Sequence, residues 1–243
     1  MELESPVLTR ARVVAFVVVG AAVGAWFVVA PHLPEVSTWT AVAIVAGLVM
    51  PATLLLVLLA LPLRTWKWLL LAAGVLVVVA IVSSELGSGL TANFAKLWAA
   101  TFAGWAFLQF FEDLWWVVIV AVVIPFVDAI SVWRGPTHTI VANPKNFHIY
   151  TGVAIAFPAP GGDAAYLGPP DLLFYALFLA SAARWRLRVG ATWVAMTVMY
   201  SLTLVITNAA ELDGLPALPF LSFGFLVANA DLLWKHLRAA RTA

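Results

Sequence analysis

The chain has 243 residues, of which 64% are hydrophobic and only 10% are charged, and its formal net charge is +1. A soluble domain carries about 25% charged residues, so this composition excludes an ordinary water-soluble enzyme and indicates an integral membrane protein. The basic residues are spread among several short segments, which argues against a nucleic-acid-binding surface. There is no cysteine, and the four histidines are scattered. We therefore expect no disulfide and no metal site.

Apolar segments of about 20 residues, the length of a helix that crosses a bilayer, recur along the chain. They predict an all-α, polytopic bundle of about eight membrane-spanning helices. The predicted spans are Val13–Ala30, Thr40–Leu61, Trp66–Ser83, Phe94–Phe111, Leu114–Trp133, Ala165–Ala183, Val189–Asn208 and Pro216–Trp234.

Basic residues predict the orientation of these spans, because cytoplasmic loops are enriched in lysine and arginine. In an eight-span chain the clusters that contain Arg10, Arg64, Arg186 and Lys235 all fall on one side. Arg134 falls on the other side and departs from the rule. The sequence therefore predicts a multi-pass protein, expected in the cell membrane, with both termini in the cytoplasm.

Two aspartates, Asp128 and Asp171, lie within predicted spans. A charged group at membrane depth costs at least ~2.5–3.5 kcal/mol by insertion scales and usually marks a functional site. Asp128 follows Leu114 by 14 residues and Asp171 precedes Ala183 by 12 residues. At 1.5 Å per residue they lie ~21 Å and ~18 Å from the cytoplasmic ends of antiparallel spans. Matched depths predict a carboxylate pair that activates water.

Each aspartate also has a purely structural interpretation. Asp171 follows Gly168-Pro169-Pro170 and precedes an apolar segment, which is typical of an N-cap aspartate. Asp128 lies three residues after Pro125 and is compatible with a polar contact between packed helices. The sequence leaves both interpretations open.

The connection between residues 134 and 164 is unusually long for a compact protein, where loops beyond ~12–15 residues are uncommon and often functional. It contains several Pro and Gly breakers around the segment Tyr150–Phe157, which we predict to be a short strand. A single strand near lipid needs a partner for its backbone groups. The segment therefore predicts pairing with a second strand.

A third feature is the segment Leu215-Pro216-Ala217-Leu218-Pro219 at the start of the last span. Its two prolines predict a non-helical stretch, although proline is also common at ordinary helix starts. Free backbone amides at membrane depth occur beside a cavity or a protein partner.

Taken together, three blocks resemble the presenilin and signal peptide peptidase family of intramembrane aspartyl proteases. Residues Val127–Pro136 (VDAISVWRGP) are similar to the family's Tyr-Asp helix, and Tyr166–Tyr175 (YLGPPDLLFY) to its Gly-x-Gly-Asp motif. Residues Leu215–Phe225 (LPALPFLSFGF) are similar to its Pro-Ala-Leu motif. The blocks occur in the family's order, and the similarity covers roughly residues 115–234.

The resemblance implies a fold, usually of nine spans, and a role for each matching residue. Asp128 and Asp171 would be the catalytic pair, one acting as base toward water and the other as acid. The substrates would be transmembrane proteins or peptides within the lipid bilayer, and no nucleic acid, metal or cofactor is implied. Residues 1–111 would form an N-terminal region of about four spans, and 112–243 the catalytic region.

The resemblance also implies a substrate-binding surface, in which an extended substrate segment pairs with an enzyme strand. Thr151–Phe157 is in the matching place for that strand. The residues implied to contact substrate are Gly168, Pro216, Ala217, Leu218, Val153, Ala154 and Ile155.

Two positions depart from the family pattern. Val127 replaces the tyrosine before the first aspartate, and Pro170 replaces the glycine before the second. Pro170 motivates one alternative, a catalytically inactive relative that binds membrane helices. A second alternative is a proton-coupled transporter, whose carboxylates would relay protons, although transporters usually carry interrupted helices in both halves.

Overall fold

The computed structural model describes residues 9–134, 150–212 and 214–241. Within these ranges the chain is mainly α-helical, and every predicted span corresponds to a helix or to one continuous helical segment. The helices are α1 (Arg10–Val29), α2 (Thr38–Ile44), α3 (Met50–Ala60), α4 (Leu69–Glu85), α5 (Gly89–Leu108), α6 (Leu114–Arg134), α7 (Pro169–Arg184), α8 (Val189–Ala209) and α9 (Leu218–Arg241).

Four helical segments in the described ranges are long and apolar enough to cross a membrane. They are Arg10–His32, Thr38–Thr65, Leu114–Arg134 and Val189–Ala209. The second segment joins α2 and α3 through a π-helical stretch at Val45–Val49. Helices α4 and α7 are shorter, with 17 and 16 residues. The structure therefore supports an all-α membrane protein, while the count of eight spans remains a prediction.

Apolar side chains cover the outer faces of several helices. On α4, Leu70, Leu71 and Val78 are each about 60% exposed. On α6, Phe126 and Ile130 are similarly exposed. Apolar surface of this extent is uncommon on a monomeric soluble protein and is expected where helices face lipid.

The core is centred on α7, which packs against α5, α8 and α9. Phe178 of α7 stacks on Phe225 of α9, with ring centroids 4.9 Å apart. Gly104 allows α5 to approach the α7 backbone, since a Cβ at this position would overlap the carbonyl oxygen of Leu173. Small residues that permit such approach are typical of helix interfaces in membranes.

A β-hairpin precedes α7. Strands β1 (Ile155–Pro158) and β2 (Ala164–Leu167) are antiparallel, with Ile155 opposite Leu167 and Pro158 opposite Ala164. Gly161 and Gly162 in the connecting turn have φ values of 90° and 93°, in the left-handed region that glycine favours.

This hairpin corrects two sequence predictions. The predicted strand Tyr150–Phe157 is wrong in its first half, because residues 150–153 form a helical turn and β1 begins only at Ile155. The predicted span Ala165–Ala183 is wrong at its start, because residues 165–167 belong to β2 and the helix begins at Pro169. The expected second strand is supplied by the chain itself.

The predicted non-helical stretch Leu215–Pro219 is confirmed as far as Ala217 and is wrong for Leu218 and Pro219, which are helical. Residues 214–216 are irregular, and α9 begins at Leu218. Gly135-Pro136, the end of the first family-like block, lies outside the described residues.

Candidate active site

Asp171 is the third residue of α7, and the N-cap is Gly168, so the interpretation of Asp171 as the N-cap is wrong. The Asp171 side chain instead bonds back to the N-cap residue. Its Oδ2 accepts a hydrogen bond from the amide of Gly168, at 3.1 Å. Pro169 and Pro170 occupy the first helical positions after Gly168. Amides there have no partner within the helix, and the fixed φ of proline suits a helix start. Pro170 therefore fits the local backbone, and Gly168 itself has φ −66° and needs no left-handed conformation.

Asp128 lies on α6, three residues after Pro125, which stands inside the helix. Its Oδ2 accepts a hydrogen bond from the amide of Leu218, at 3.0 Å, and the Ala217 amide also interacts with the carboxylate. Leu218 is the first residue of α9. A carboxylate at a helix N-terminus satisfies unpaired amides and interacts favourably with the helix dipole. The structure thus joins the first and third family-like blocks directly.

The structure brings the two carboxylates near each other. Asp128 and Asp171 are close enough to interact electrostatically, although they are 43 positions apart in the chain. Both side chains are only partly buried. The described residues contain no group of three or more His, Cys, Asp or Glu side chains that could hold a metal ion.

Tyr150 adds an aromatic hydroxyl near this pair. Burial, and then the nearby charges of Asp171 and Asp128, raise the pKa of Tyr150 to about 12. Its ring meets the ring of Tyr166 on β2 edge-on, with centroids 6.4 Å apart. The phenol therefore remains protonated at neutral pH. Sequence analysis missed this residue, because Tyr150 was assigned only to the predicted strand.

The residues predicted to form the substrate-binding strand lie in three different local structures. Val153 is 53% exposed and lies in the helical turn, and Ala154 is buried in the bend that follows. Ile155 is buried within β1 and is paired with Leu167. Only Ile155 belongs to a strand, so Val153 and Ala154 do not have the extended conformation that the prediction requires.

A side chain from α5 forms hydrogen bonds with the outer edge of β1, the edge that faces away from β2. The side-chain nitrogen of Asn93 donates to the carbonyl of Ala156 at 2.8 Å, and its oxygen accepts from the Ala156 amide at 2.7 Å. The amide and carbonyl of Ala156 therefore point away from β2. Ala156 and Tyr166 face each other in the hairpin as a non-hydrogen-bonded pair. Asn93 was missed because it lies one position before a predicted span.

Lys96, one turn further along α5, fixes the segment before β1. Its ammonium group donates to the carbonyls of Thr151 and Ala154, at 3.4 Å and 3.2 Å. A positive charge here interacts favourably with the partial negative charge of the carbonyls at the end of a helical turn. Together with Asn93, it attaches the hairpin to α5.

Comparison with known proteins adds no relative to this picture. No protein-family model matches the chain, and no curated protein matches it significantly.

Proposed function

We propose that this protein is an intramembrane aspartyl protease that hydrolyses peptide bonds within transmembrane segments of membrane proteins. The observation that carries the proposal is the proximity of Asp128 and Asp171, which come from two apolar helices. Asp128 is also bonded to Leu218 at the start of α9, directly after Pro216 and Ala217. The resemblance of the three blocks supports the same conclusion. The proposed topology is eight spans in the cell membrane, with both termini in the cytoplasm.

Two adjacent carboxylates can divide the chemistry of hydrolysis, because like charges at short range favour a shared proton. One ionised carboxylate takes a proton from water as the water oxygen attacks the substrate carbonyl. The other, protonated, delivers its proton to the carbonyl oxygen. In the collapse of the resulting diol, the aspartate that took the water proton delivers it to the nitrogen as the C–N bond breaks. The other carboxylate takes a proton back from one hydroxyl, so that a carboxylic acid and an amine leave and both aspartates return to their starting states. We assign the second oxygen of each carboxylate to this chemistry, since each Oδ2 accepts a backbone hydrogen bond.

We also propose that an extended substrate segment adds to the outer edge of β2, not to β1. The β1 edge is bonded by Asn93 at Ala156. Strand β2 ends at Leu167, four positions before Asp171. A segment paired with β2 would therefore run toward the carboxylates, with Pro216 and Ala217 beside Asp128. Strand addition supplies affinity through main-chain bonds and tolerates varied side chains.

One observation favours a second function, a catalytically inactive relative that binds membrane helices. Each aspartate already has a structural role, because Asp171 bonds to the start of α7 and Asp128 to the start of α9. Carboxylates that serve only to accept hydrogen bonds from the starts of helices do not need to hold a water molecule between them. The same hairpin edge would then bind an extended segment of a partner's membrane helix without cleaving it.

Cleavage by the purified protein in lipid bilayers separates these functions. The substrate is a single-span peptide, and the products are identified by mass spectrometry. We expect cleavage by the parent protein, loss in Asp128→Asn and Asp171→Asn, and retention in Asp231→Asn. Asp231 is the matched control because its carboxylate is exposed and pairs with Arg188 at 2.6 Å. Peptide binding without cleavage by the parent would contradict the protease and support the inactive relative.

A further inference from the structure

Tyr200 on α8 carries a buried hydroxyl for which the described residues provide no hydrogen-bond partner. Its side chain is 0% exposed, and its Oη is one of only a few such buried polar atoms found in those residues. Buried hydroxyls are almost always paired, so an unpaired one needs an explanation. The neighbouring Tyr175 shows the ordinary arrangement, since its hydroxyl pairs with the Thr197 hydroxyl at 2.9 Å.

The packing of α7 and α8 brings this hydroxyl to the carboxylate pair. Tyr175 follows Asp171 by four residues and therefore lies on the same face of α7. The ring of Tyr200 stacks on that of Tyr175, with centroids 5.8 Å apart and planes 13° apart. Tyr200 interacts electrostatically with both Asp171 and Asp128. The unpaired hydroxyl thus belongs to the same site as the two aspartates.

We propose that the Tyr200 hydroxyl donates a hydrogen bond to the substrate carbonyl oxygen as water adds to it. This inference rests on the proposed protease function and adds a third polar group to it. As the water oxygen–carbon bond forms, the carbonyl π electrons move onto oxygen, while one aspartate takes the water proton and the other protonates that oxygen. Tyr200 keeps its own proton throughout. A donor fixed in a water-poor site stabilises the oxygen most when its charge is largest.

This role explains why the hydroxyl has no partner within the described protein. A donor reserved for the transition state gains its hydrogen bond only when substrate reacts, which lowers the barrier without tightening substrate binding. Tyr150, the other hydroxyl near the pair, comes from the segment before β1 and approaches from a different element.

The first test compares Tyr200→Phe with Tyr175→Phe in the cleavage assay. Each variant removes one hydroxyl from the same ring stack, and only Tyr175 has a protein partner for it. We expect Tyr200→Phe to lower kcat by about 10²-fold with little change in KM, and Tyr175→Phe to keep kcat near the parent value. Thermal unfolding in detergent is a second measurement, in which Tyr175→Phe lowers Tm and Tyr200→Phe leaves it equal or higher. An unchanged kcat in Tyr200→Phe would overturn the inference.

A binding experiment separates failure of this inference from failure of the protease function. The probes are two transmembrane peptides in which the cleaved bond is replaced by a hydroxyl-bearing isostere or by a plain methylene isostere. We expect the parent to bind the hydroxyl isostere more tightly than the methylene isostere. In Tyr200→Phe the ratio of the two Kd values should fall by about tenfold, while the Kd for the methylene isostere stays that of the parent. The same preference in both proteins would overturn the role of Tyr200 alone. A parent that binds neither peptide and cleaves none would overturn the proposed function and this inference with it.

Discussion

Asp128 on α6 accepts a hydrogen bond from the backbone amide of Leu218, 90 positions later in the chain, at 3.0 Å. Leu218 is the first residue of α9 and follows the irregular Pro216-Ala217 stretch. The Asp128 carboxylate therefore holds the start of α9, which completes the Pro-Ala-Leu sequence, beside the site. The same contact means that substitutions at Asp128 affect both stability and chemistry.

Asparagine and alanine at position 128 should separate these two effects. Asp128→Asn retains an oxygen that accepts from the Leu218 amide, whereas Asp128→Ala removes it. We expect Asp128→Ala to be about 1 kcal/mol less stable than Asp128→Asn, the typical value of a helix N-terminal side-chain bond. Both variants should lack cleavage. Thermal unfolding in detergent measures the difference, and equal stabilities would show that the bond does not hold α9.

Gly168→Ala should impair chemistry while leaving the fold intact. Gly168 has an ordinary φ of −66°, but an added Cβ would lie 3.0 Å from Oδ2 of Asp171. The carboxylate must then move by a few tenths of an ångström. Misplacement by a full 1 Å can cost about 10²-fold in rate, so we expect this smaller displacement to lower kcat by less than that but measurably. Gly190→Ala is the control, with no atom within 4 Å of its added Cβ. Equal cleavage by both variants would argue against a demanding geometry at Asp171.

Gly104→Ala should destabilise the protein by separating α5 from α7. The added Cβ would overlap the Leu173 carbonyl and contact the Cβ of Ala176 at 3.1 Å. Overpacking of this kind typically costs about 1–3 kcal/mol. Gly74→Ala, in α4 with no atom within 4 Å, should instead stabilise by up to about 1 kcal/mol through helix propensity. Chemical unfolding in mixed micelles compares the two, and a Gly104→Ala protein as stable as the parent would contradict the close approach.

Asn93→Leu should release the hairpin from α5. The variant leaves the amide and carbonyl of Ala156 without their partner, at a cost of about 1–3 kcal/mol for each unpaired group. Hydrogen exchange at the Ala156 amide should become faster. Thr91→Ala, at an exposed position two residues earlier whose hydroxyl accepts from Ser88, should change stability by no more than about 0.5 kcal/mol. Unchanged exchange at Ala156 would show that the Asn93 bond does not hold the hairpin on α5.

Labelling of engineered cysteines should test the eight-span topology on a background that has no native cysteine. The positions are Glu85, Asp113 and Arg186, all exposed at helix ends. In membrane vesicles, an impermeant maleimide should label Asp113→Cys and Arg186→Cys from the cytoplasmic side and Glu85→Cys from the opposite side. Labelling of Glu85→Cys and Asp113→Cys from the same side would mean that α5 does not cross the membrane.

The sequence by itself determined the helices and the two aspartates of the candidate site. Continuous apolar segments bounded by charges predicted each helix to within a few residues at most ends, because a helix satisfies its own backbone hydrogen bonds locally. The rarity of carboxylates in such segments identified Asp128 and Asp171. The Pro-Ala-Leu-Pro sequence predicted a non-helical start for the last helix, since proline restricts the backbone wherever it occurs.

Only the tertiary structure decided how these parts meet. Strand pairing joins residues that are distant in sequence, so the sequence missed the hairpin partner β2 and misplaced Val153 and Ala154 in a strand. The bond from Asp128 to Leu218 and the stacking of Tyr200 on Tyr175 depend on how separate helices are rotated and packed. Hydrophobic periodicity is weak where helix exteriors face lipid and are as apolar as the interior. The chain therefore encodes its helices locally, and its candidate chemistry arises from contacts between them.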